Sequence, residues 1–196
     1  MLDFLIGLDT KLFIFLNGLH ADFLDQIMWV ISAKETWYPF YLVLIGLLIY
    51  IYRKKSIWII LGLAILITLS DQISVKIFKD GFQRLRPSHN EALSNIIHIL
   101  HGKRGGKFGF VSSHAANTFA GATFIAKLVD LRSLRWFMYS WAAVVSYSRI
   151  YLGVHYPADI VGGALLGIFL GLIIVFILKK WAIKDQQFEL GVPISK

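Results

Sequence analysis

The chain contains no cysteine among its 196 residues. Disulfide bonds and thiolate metal sites are therefore excluded, and cysteine usage gives no indication of the redox compartment. Acidic residues are also scarce, with 12 Asp and Glu against 20 Lys and Arg, which leaves a formal net charge of +8. The amino terminus has neither a basic segment nor a recognisable cleavage site, so no removable signal peptide is predicted.

Apolar residues, by contrast, are abundant. They make up 57% of the chain, aromatic residues make up 15%, and several apolar runs reach bilayer length. This composition predicts one integral membrane domain rather than a soluble one. No nucleic-acid-binding motif accompanies the positive charge, which suits anionic lipid head groups at a membrane surface and not a nucleic-acid partner.

The hydrophobic pattern predicts an all-α, polytopic membrane helix bundle. Residues 1–19 are amphipathic, because Asp3, Asp9, Lys11 and Asn17 interrupt the apolar positions, and this segment is predicted to be an interfacial helix. Residues 23–33 are too few to span alone. Further apolar segments occur at 37–52, 56–78, 110–129, 134–152 and 157–178. We expect six transmembrane helices, or five, within a membrane domain at 20–180, followed by a cytoplasmic tail at 181–196.

Three polar motifs lie beside the ends of these apolar segments. Lys79 and Arg86 follow one segment, Ser112, Ser113 and His114 open the next, and Arg149, His155 and Asp159 connect the last two. Alternating crossings would bring all three motifs to one membrane face. The short loops on the other face carry Arg53, Lys54 and Lys55 among other cations, which marks that face as cytoplasmic. The cations beside the motifs then lie outside the cytoplasm, where a bound anion would compensate them.

This set of side chains suits phosphoryl transfer, which needs positive charge around the phosphate oxygens, a nucleophile and an acid. The predicted phosphate-binding residues are Lys79, Arg86, Arg149, Ser112 and Ser113. His155 is predicted to attack phosphorus and form a phosphohistidine, and His114 to protonate the leaving oxygen. Pro157 suits the first position of a helix, so Asp159 would lie in the first turn and orient His155.

At these positions the chain resembles the type 2 phosphatidic acid phosphatase (PAP2) superfamily. The family pattern has a lysine, six residues and Arg-Pro, which matches Lys79 and Arg86-Pro87, and a Ser-Arg, five residues, His, three residues, Asp element, which matches Ser148 to Asp159. The middle Pro-Ser-Gly-His element departs from the pattern, since Val111 and Ser113 replace the proline and the glycine.

The resemblance implies a small bacterial lipid phosphatase that needs no metal or cofactor and acts at the outer face of the inner membrane. Undecaprenyl pyrophosphate ranks first among the implied substrates, with lipid A, phosphatidylglycerol phosphate and phosphatidic acid as alternatives. A non-enzymatic anion carrier or channel, and an enzyme for soluble phosphate esters, are the other hypotheses. The oligomeric state is not predicted.

Several further residues have two interpretations. His89, His98 and His101, with Glu91, are interpreted as loop residues rather than metal ligands, because their spacing matches no compact ligand motif. The Gly-, Lys- and Arg-rich loop at 102–109 is either a flap over the phosphate or a flexible connection. Asp71 lies within an apolar run and is interpreted as a structural residue. Gly163, Gly167 and Gly171 predict close helix packing, within the chain or with another subunit.

Overall fold

The structure, a computed structural model, describes residues 1–183, which form helices joined by short loops. Within this part of the chain there is no strand, and one isolated antiparallel bridge joins Leu85 to Phe108. The helices are α1 (Leu2–Asn17), α2 (Asp22–Ser32), α3 (Tyr38–Tyr52), α4 (Ser56–Gln72), α5 (Asp80–Phe82), α6 (Ser113–Val129), α7 (Arg132–Tyr151) and α8 (Pro157–Trp181). A π-helical segment, Ile73–Lys79, joins α4 to α5.

The predicted all-α fold is thus confirmed, and each predicted apolar segment coincides with a helix. Helix α6 begins at Ser113 rather than at residue 110, because Ser112 has extended backbone angles and caps the helix. Of the predicted tail at 181–196, residues 184–196 lie outside the described residues. Its cytoplasmic location and the interfacial role of residues 1–19 stay predictions.

Helix α6 lies at the centre of the bundle, with 11 of its 17 residues buried. Its small side chains let α8 approach closely, and the three glycines spaced by four on α8 form that contact. A Cβ atom at Gly167 would collide with the carbonyl oxygen of Ala116, and one at Gly171 would lie 2.9 Å from the Cβ of Thr123. The predicted close packing is therefore internal to the chain.

The outward surface of α8 is apolar. Val161, Leu165 and Phe169 are each more than half exposed, as a lipid-facing helix requires. Two helical runs in the described part are long and apolar enough to cross a membrane, Lys34–Phe82 with 49 residues and Pro157–Trp181 with 25. Arg53, with φ 50° and ψ −124°, divides the first run into α3 and α4. A third span would be the pair of segments Asp3–Asn17 and Asp22–Ser32, which is bent by 115°.

The amino-terminal helices pack against the ends of α7 and α8. The buried amide of Asn17 donates hydrogen bonds to the carbonyls of His98, Ile150 and Tyr151 at 2.9–3.1 Å. Phe13 is fully buried, and its ring centroid lies 5.3 Å from that of Tyr156. Helix α1 is consequently held beside the loop that carries the third polar motif.

Candidate active site

A cavity of about 750 Å³ lies where three parts of the chain meet: the end of the α4 run (residues 56–82, which comprise α4, the π-helical segment and α5), the start of α6, and the α7–α8 loop. Six of the eight predicted site residues line it: Lys79, Arg86, Ser113, His114, Arg149 and His155. These residues come from three distant parts of the chain, so the predicted convergence of the motifs is observed. The other two, Ser112 and Asp159, are buried directly behind the lining.

His155 and Asp159 form a buried pair. Pro157 begins α8, which places Asp159 in its first turn, where Oδ2 accepts a hydrogen bond from the backbone N–H of Tyr156 at 3.0 Å and lies 3.2 Å from His155 Nδ1. This carboxylate selects the tautomer with the proton on Nδ1, so the lone pair of Nε2 is free. Burial, together with the Arg86 and Arg149 guanidinium groups, holds the pKa of His155 well below its usual range. The imidazole is therefore neutral at physiological pH, as a nucleophile must be.

The cations of the site have few protein partners. Lys79 Nζ donates to the hydroxyl of Ser113 at 2.7 Å, Arg86 Nε donates to the carbonyl of Phe108 at 3.1 Å, and Arg149 Nη1 donates to the hydroxyl of Ser32. Arg86 and Arg149 are 8% and 4% exposed. Within residues 1–183 neither makes an ion pair, and Nε of Arg149 has no partner. Two buried guanidinium groups without counter-ions are suited to an anion with several oxygens.

The two serines of the second motif have different environments. Ser112 is fully buried, and its hydroxyl accepts a hydrogen bond from the N–H of Ala115 at 3.4 Å, which makes it the N-cap of α6. Ser113 lies in the cavity, where its hydroxyl also lies 2.7 Å from that of Ser74. His114 follows in the first turn of α6 and lines the same cavity. The structure therefore places the Ser113 hydroxyl, and not that of Ser112, in the cavity lining.

The glycine-rich loop at 102–109 packs directly on the site. Gly105 has φ +68°, and a Cβ atom there would lie 2.8 Å from Nη1 of Arg86. A Cβ atom at Gly109 would lie 2.8 Å from Oδ2 of Asp159. Glycine is needed at both positions because a Cβ atom would collide with Arg86 or with Asp159. Sequence reasoning noted these glycines but did not relate them to particular side chains.

A second carboxylate extends the His155–Asp159 pair, and it was not predicted. Arg84 donates through Nη1 to Asp159 Oδ1 at 2.8 Å and through Nη2 to Asp9 Oδ2 at 2.6 Å. The other oxygen of Asp9 accepts a hydrogen bond from the N–H of Ala158 at 2.8 Å. In the sequence, Asp9 is a charged residue on an amphipathic helix, a pattern that predicts a solvent-facing side chain. Only the packing of α1 against α8 places it beside Arg84.

The loop histidines lie outside the cavity lining. His98 Nε2 is 3.0 Å from Asp25 Oδ1, which also accepts a hydrogen bond from the hydroxyl of Tyr151 at 2.6 Å. The ring of His101 packs edge-on against Trp29, with centroids 4.8 Å apart. Residues 1–183 contain no group of three or more His, Cys, Asp or Glu side chains that could hold a metal ion. These histidines connect loops to the amino-terminal helices.

Known proteins resemble this chain in sequence and in fold. Residues 57–183 match the PAP2 superfamily. The chain is 39% identical over 189 residues to a lipid A 4'-phosphatase of Bacteroides thetaiotaomicron, covering 95% of this chain and 84% of that protein. It is 30% identical over 186 residues to an undecaprenyl-diphosphatase of Sulfolobus acidocaldarius, covering 93% and 84%. The crystal structure of Aquifex aeolicus LpxE is similar in fold, with a TM-score of 0.65 and 25% identity over 86% of this chain and 95% of that one.

Proposed function

Because this chain belongs to the PAP2 superfamily, we propose that it removes a phosphate group from lipid A or a closely related acylated amino-sugar phosphate. The chain is an integral membrane phosphatase that acts on lipid phosphates, and its relatives include a lipid A 4'-phosphatase and a phosphatidylglycerophosphatase B. The ranking of undecaprenyl pyrophosphate first among substrates is corrected here, since identity to a lipid A 4'-phosphatase is 39% and identity to an undecaprenyl-diphosphatase is 30%.

One observation supports the proposal: the cavity joins a mouth lined by cations to an apolar floor. Below the cations, the lining residues are Leu44, Leu63, Ile67, Ile125 and Met138. From His114 to Ile125 is 11 residues of α6, or roughly 16 Å of helix. A lipid would bind with its phosphate at the mouth and hydrocarbon against the floor, whereas a soluble phosphate ester would leave the floor empty.

The first chemical step transfers the phosphoryl group to the enzyme. The Nε2 lone pair of neutral His155 attacks phosphorus, the bond between phosphorus and the lipid oxygen breaks, and the leaving oxygen takes a proton from His114, whose imidazolium form is stabilised by the negative charge of the bound phosphate. Asp159 stabilises the positive charge that develops on the His155 ring, because it accepts the Nδ1 hydrogen bond. Lys79, Arg86 and Arg149 neutralise the phosphate oxygens in the transition state.

The second step releases inorganic phosphate. His114, now neutral, takes a proton from water while the water oxygen attacks phosphorus, and the bond from phosphorus to Nε2 of His155 breaks. The proton returns His114 to its starting state, and His155 regains its lone pair. Water supplies the proton that His114 regains, and the cationic side chains stabilise the phosphate charge in both steps.

The placement in the membrane follows from the two ends of the bundle. The site lies at the end of the α4 run and the start of α6, while Arg53, Lys54 and Lys55 lie at the opposite end, between α3 and α4. We place those cations in the cytoplasm and the site at the outer face of the inner membrane. Helices α3, α4, α6, α7 and α8 would each cross the membrane. Helix α2, with 11 residues, is roughly 16 Å long and would complete a sixth crossing only together with α1.

Phosphate release from detergent-solubilised lipid A tests the proposal. We expect release with a chelator present. We also expect kcat/KM for lipid A to be at least tenfold above that for undecaprenyl pyrophosphate, because a tenfold preference requires only about 1.4 kcal/mol of additional binding free energy. His155→Ala is expected to abolish release, and alkaline quenching of the wild-type reaction is expected to leave phosphate on the peptide that contains His155.

His101→Ala is the matched control, because His101 lies outside the cavity lining and is exposed. It should keep wild-type activity. A His155→Ala protein that still releases phosphate would eliminate His155 as the nucleophile. A higher kcat/KM for undecaprenyl pyrophosphate than for lipid A would reject the proposed substrate while leaving the chemistry intact.

A further inference from the structure

Asp71 and Asn117 lie about one helical turn below the phosphate-binding residues, and none of the proposed reaction steps uses them. Ser74 and Ser113 face each other across α6 and the end of the α4 run, with their hydroxyl oxygens 2.7 Å apart. Asp71 precedes Ser74 by three residues and Asn117 follows Ser113 by four. Since α4 runs towards the site and α6 runs away from it, both residues lie about one turn deeper, and both line the cavity.

These two side chains offer hydrogen-bond acceptors that the protein does not use. Oδ1 of Asn117 is buried and has no hydrogen-bond partner within residues 1–183. The carboxylate of Asp71 makes no salt bridge in the same part of the chain. A buried acceptor without a donor costs free energy, and a carboxylate in an apolar run costs more, so both positions call for a ligand.

Below this pair the same two helix faces become apolar. On α4 the residues at successive steps of four are Asp71, Ile67 and Leu63; on α6 they are Asn117, Gly121 and Ile125, and all six line the cavity. The cavity therefore presents, in order of depth, cations and hydroxyls, then two acceptors, then hydrocarbon. A lipid that bears hydrogen-bond donors between its phosphate and its acyl chains has the same order.

We propose that Asp71 and Asn117 form a donor-recognition subsite that binds hydroxyl or amide N–H groups next to the phosphate of the substrate. This inference rests on the proposed function, because it assumes that a lipid phosphate occupies the cavity mouth. An acylated amino-sugar phosphate carries such donors within a few bonds of phosphorus. Phosphatidic acid does not, because its glycerol oxygens are all esterified, and neither does a polyprenyl pyrophosphate. The subsite would thus select among lipid phosphates that share the same reacting group.

The test compares two lipids that carry phosphate monoesters, lipid A and phosphatidic acid, in the same detergent. For Asp71→Asn and Asn117→Leu we expect kcat/KM for lipid A to fall about tenfold to a hundredfold, the loss of a hydrogen bond to a charged or buried acceptor. The same variants should hydrolyse phosphatidic acid within about twofold of the wild type, because that substrate makes no bond to the subsite.

Gln72→Ala is the control, since Gln72 is the neighbour of Asp71 on α4 and is exposed on the outside of the bundle. It should leave both activities unchanged. If Asp71 only balanced the charge of Lys79 electrostatically, Asp71→Asn would lower both activities by the same factor. That equal loss, or no loss for either substrate, would overturn the subsite.

Failure of the subsite is distinguishable from failure of the proposed function. If the wild-type protein releases no phosphate from lipid A but does so from phosphatidic acid, the proposed substrate is wrong. The subsite is then tested with phosphatidylglycerol phosphate, which has a free hydroxyl on the carbon next to the one that bears its terminal phosphate. Selective loss of that activity in Asp71→Asn supports the subsite, and equal loss rejects it.

Discussion

Gly109→Ala is expected to disable the site through a single methyl group. The Cβ atom would lie 2.8 Å from Oδ2 of Asp159 and 3.2 Å from Cγ of Arg86. The first distance is about 0.6 Å shorter than an ordinary carbon–oxygen contact. Asp159 is fully buried and held by Arg84 and by the N–H of Tyr156, so the carboxylate must shift and carry the His155 ring with it.

The magnitude follows from the geometry of attack. A misplacement of about 1 Å at a reacting group costs up to 10²-fold in rate, so a shift of several tenths of an ångström should lower kcat about tenfold to fiftyfold. The change in KM should be smaller, because the phosphate-binding residues Lys79 and Arg149 lie on other elements. Initial rates of phosphate release from lipid A micelles at several concentrations separate kcat from KM.

Gly106→Ala is the matched control from the same loop. Its Cβ atom would have no neighbour within 4 Å, and its φ is not in the left-handed region. This variant should keep wild-type rates, and both variants should elute as folded protein in detergent. Wild-type kcat in folded Gly109→Ala would show that the loop does not position Asp159, and would refute the reasoning.

Two further predictions concern the groups behind His155. Asp9→Asn should lower kcat about tenfold with little change in KM, because it removes the ion pair that anchors Arg84 on Asp159. Asp9→Glu should restore part of the rate, and the control Asp3→Asn, at an exposed position, should have no effect. Equal rates in Asp9→Asn and Asp3→Asn would contradict a positioning role for Asp9. Because the pKa of His155 is lowered in the folded chain, below a pH of about 6.5 its imidazole binds a proton in the unfolded chain but not in the folded one. Acid therefore favours the unfolded chain, and the melting temperature should fall as the pH drops from 7.5 to 5. His155→Gln should show a shallower fall, and an unchanged pH dependence would count against a neutral buried imidazole.

Several features could be predicted from the sequence because they depend on local chemistry. Apolar runs of bilayer length predict helices because backbone groups in lipid must bond within their own segment, and the helices occur where those runs do. Lys79, Arg86 and His155 lie within ordered motifs of fixed spacing, so their convergence followed once alternating crossings were assumed. Ser112 was recognisable as a helix cap, but the sequence did not show that capping would turn its hydroxyl away from the cavity.

Tertiary packing decided the rest, because those contacts join residues with no local relation. Arg84 reaches Asp9 across 75 positions, and no periodicity of α1 distinguishes a carboxylate that faces a guanidinium from one that faces water. Asp71 likewise has the pattern of an isolated charge in an apolar helix, and only the packing of α4 against α6 places it in the same cavity as Asn117. Sequence spacing determines which residues share a helix face, whereas the packing of one helix on another determines what that face meets.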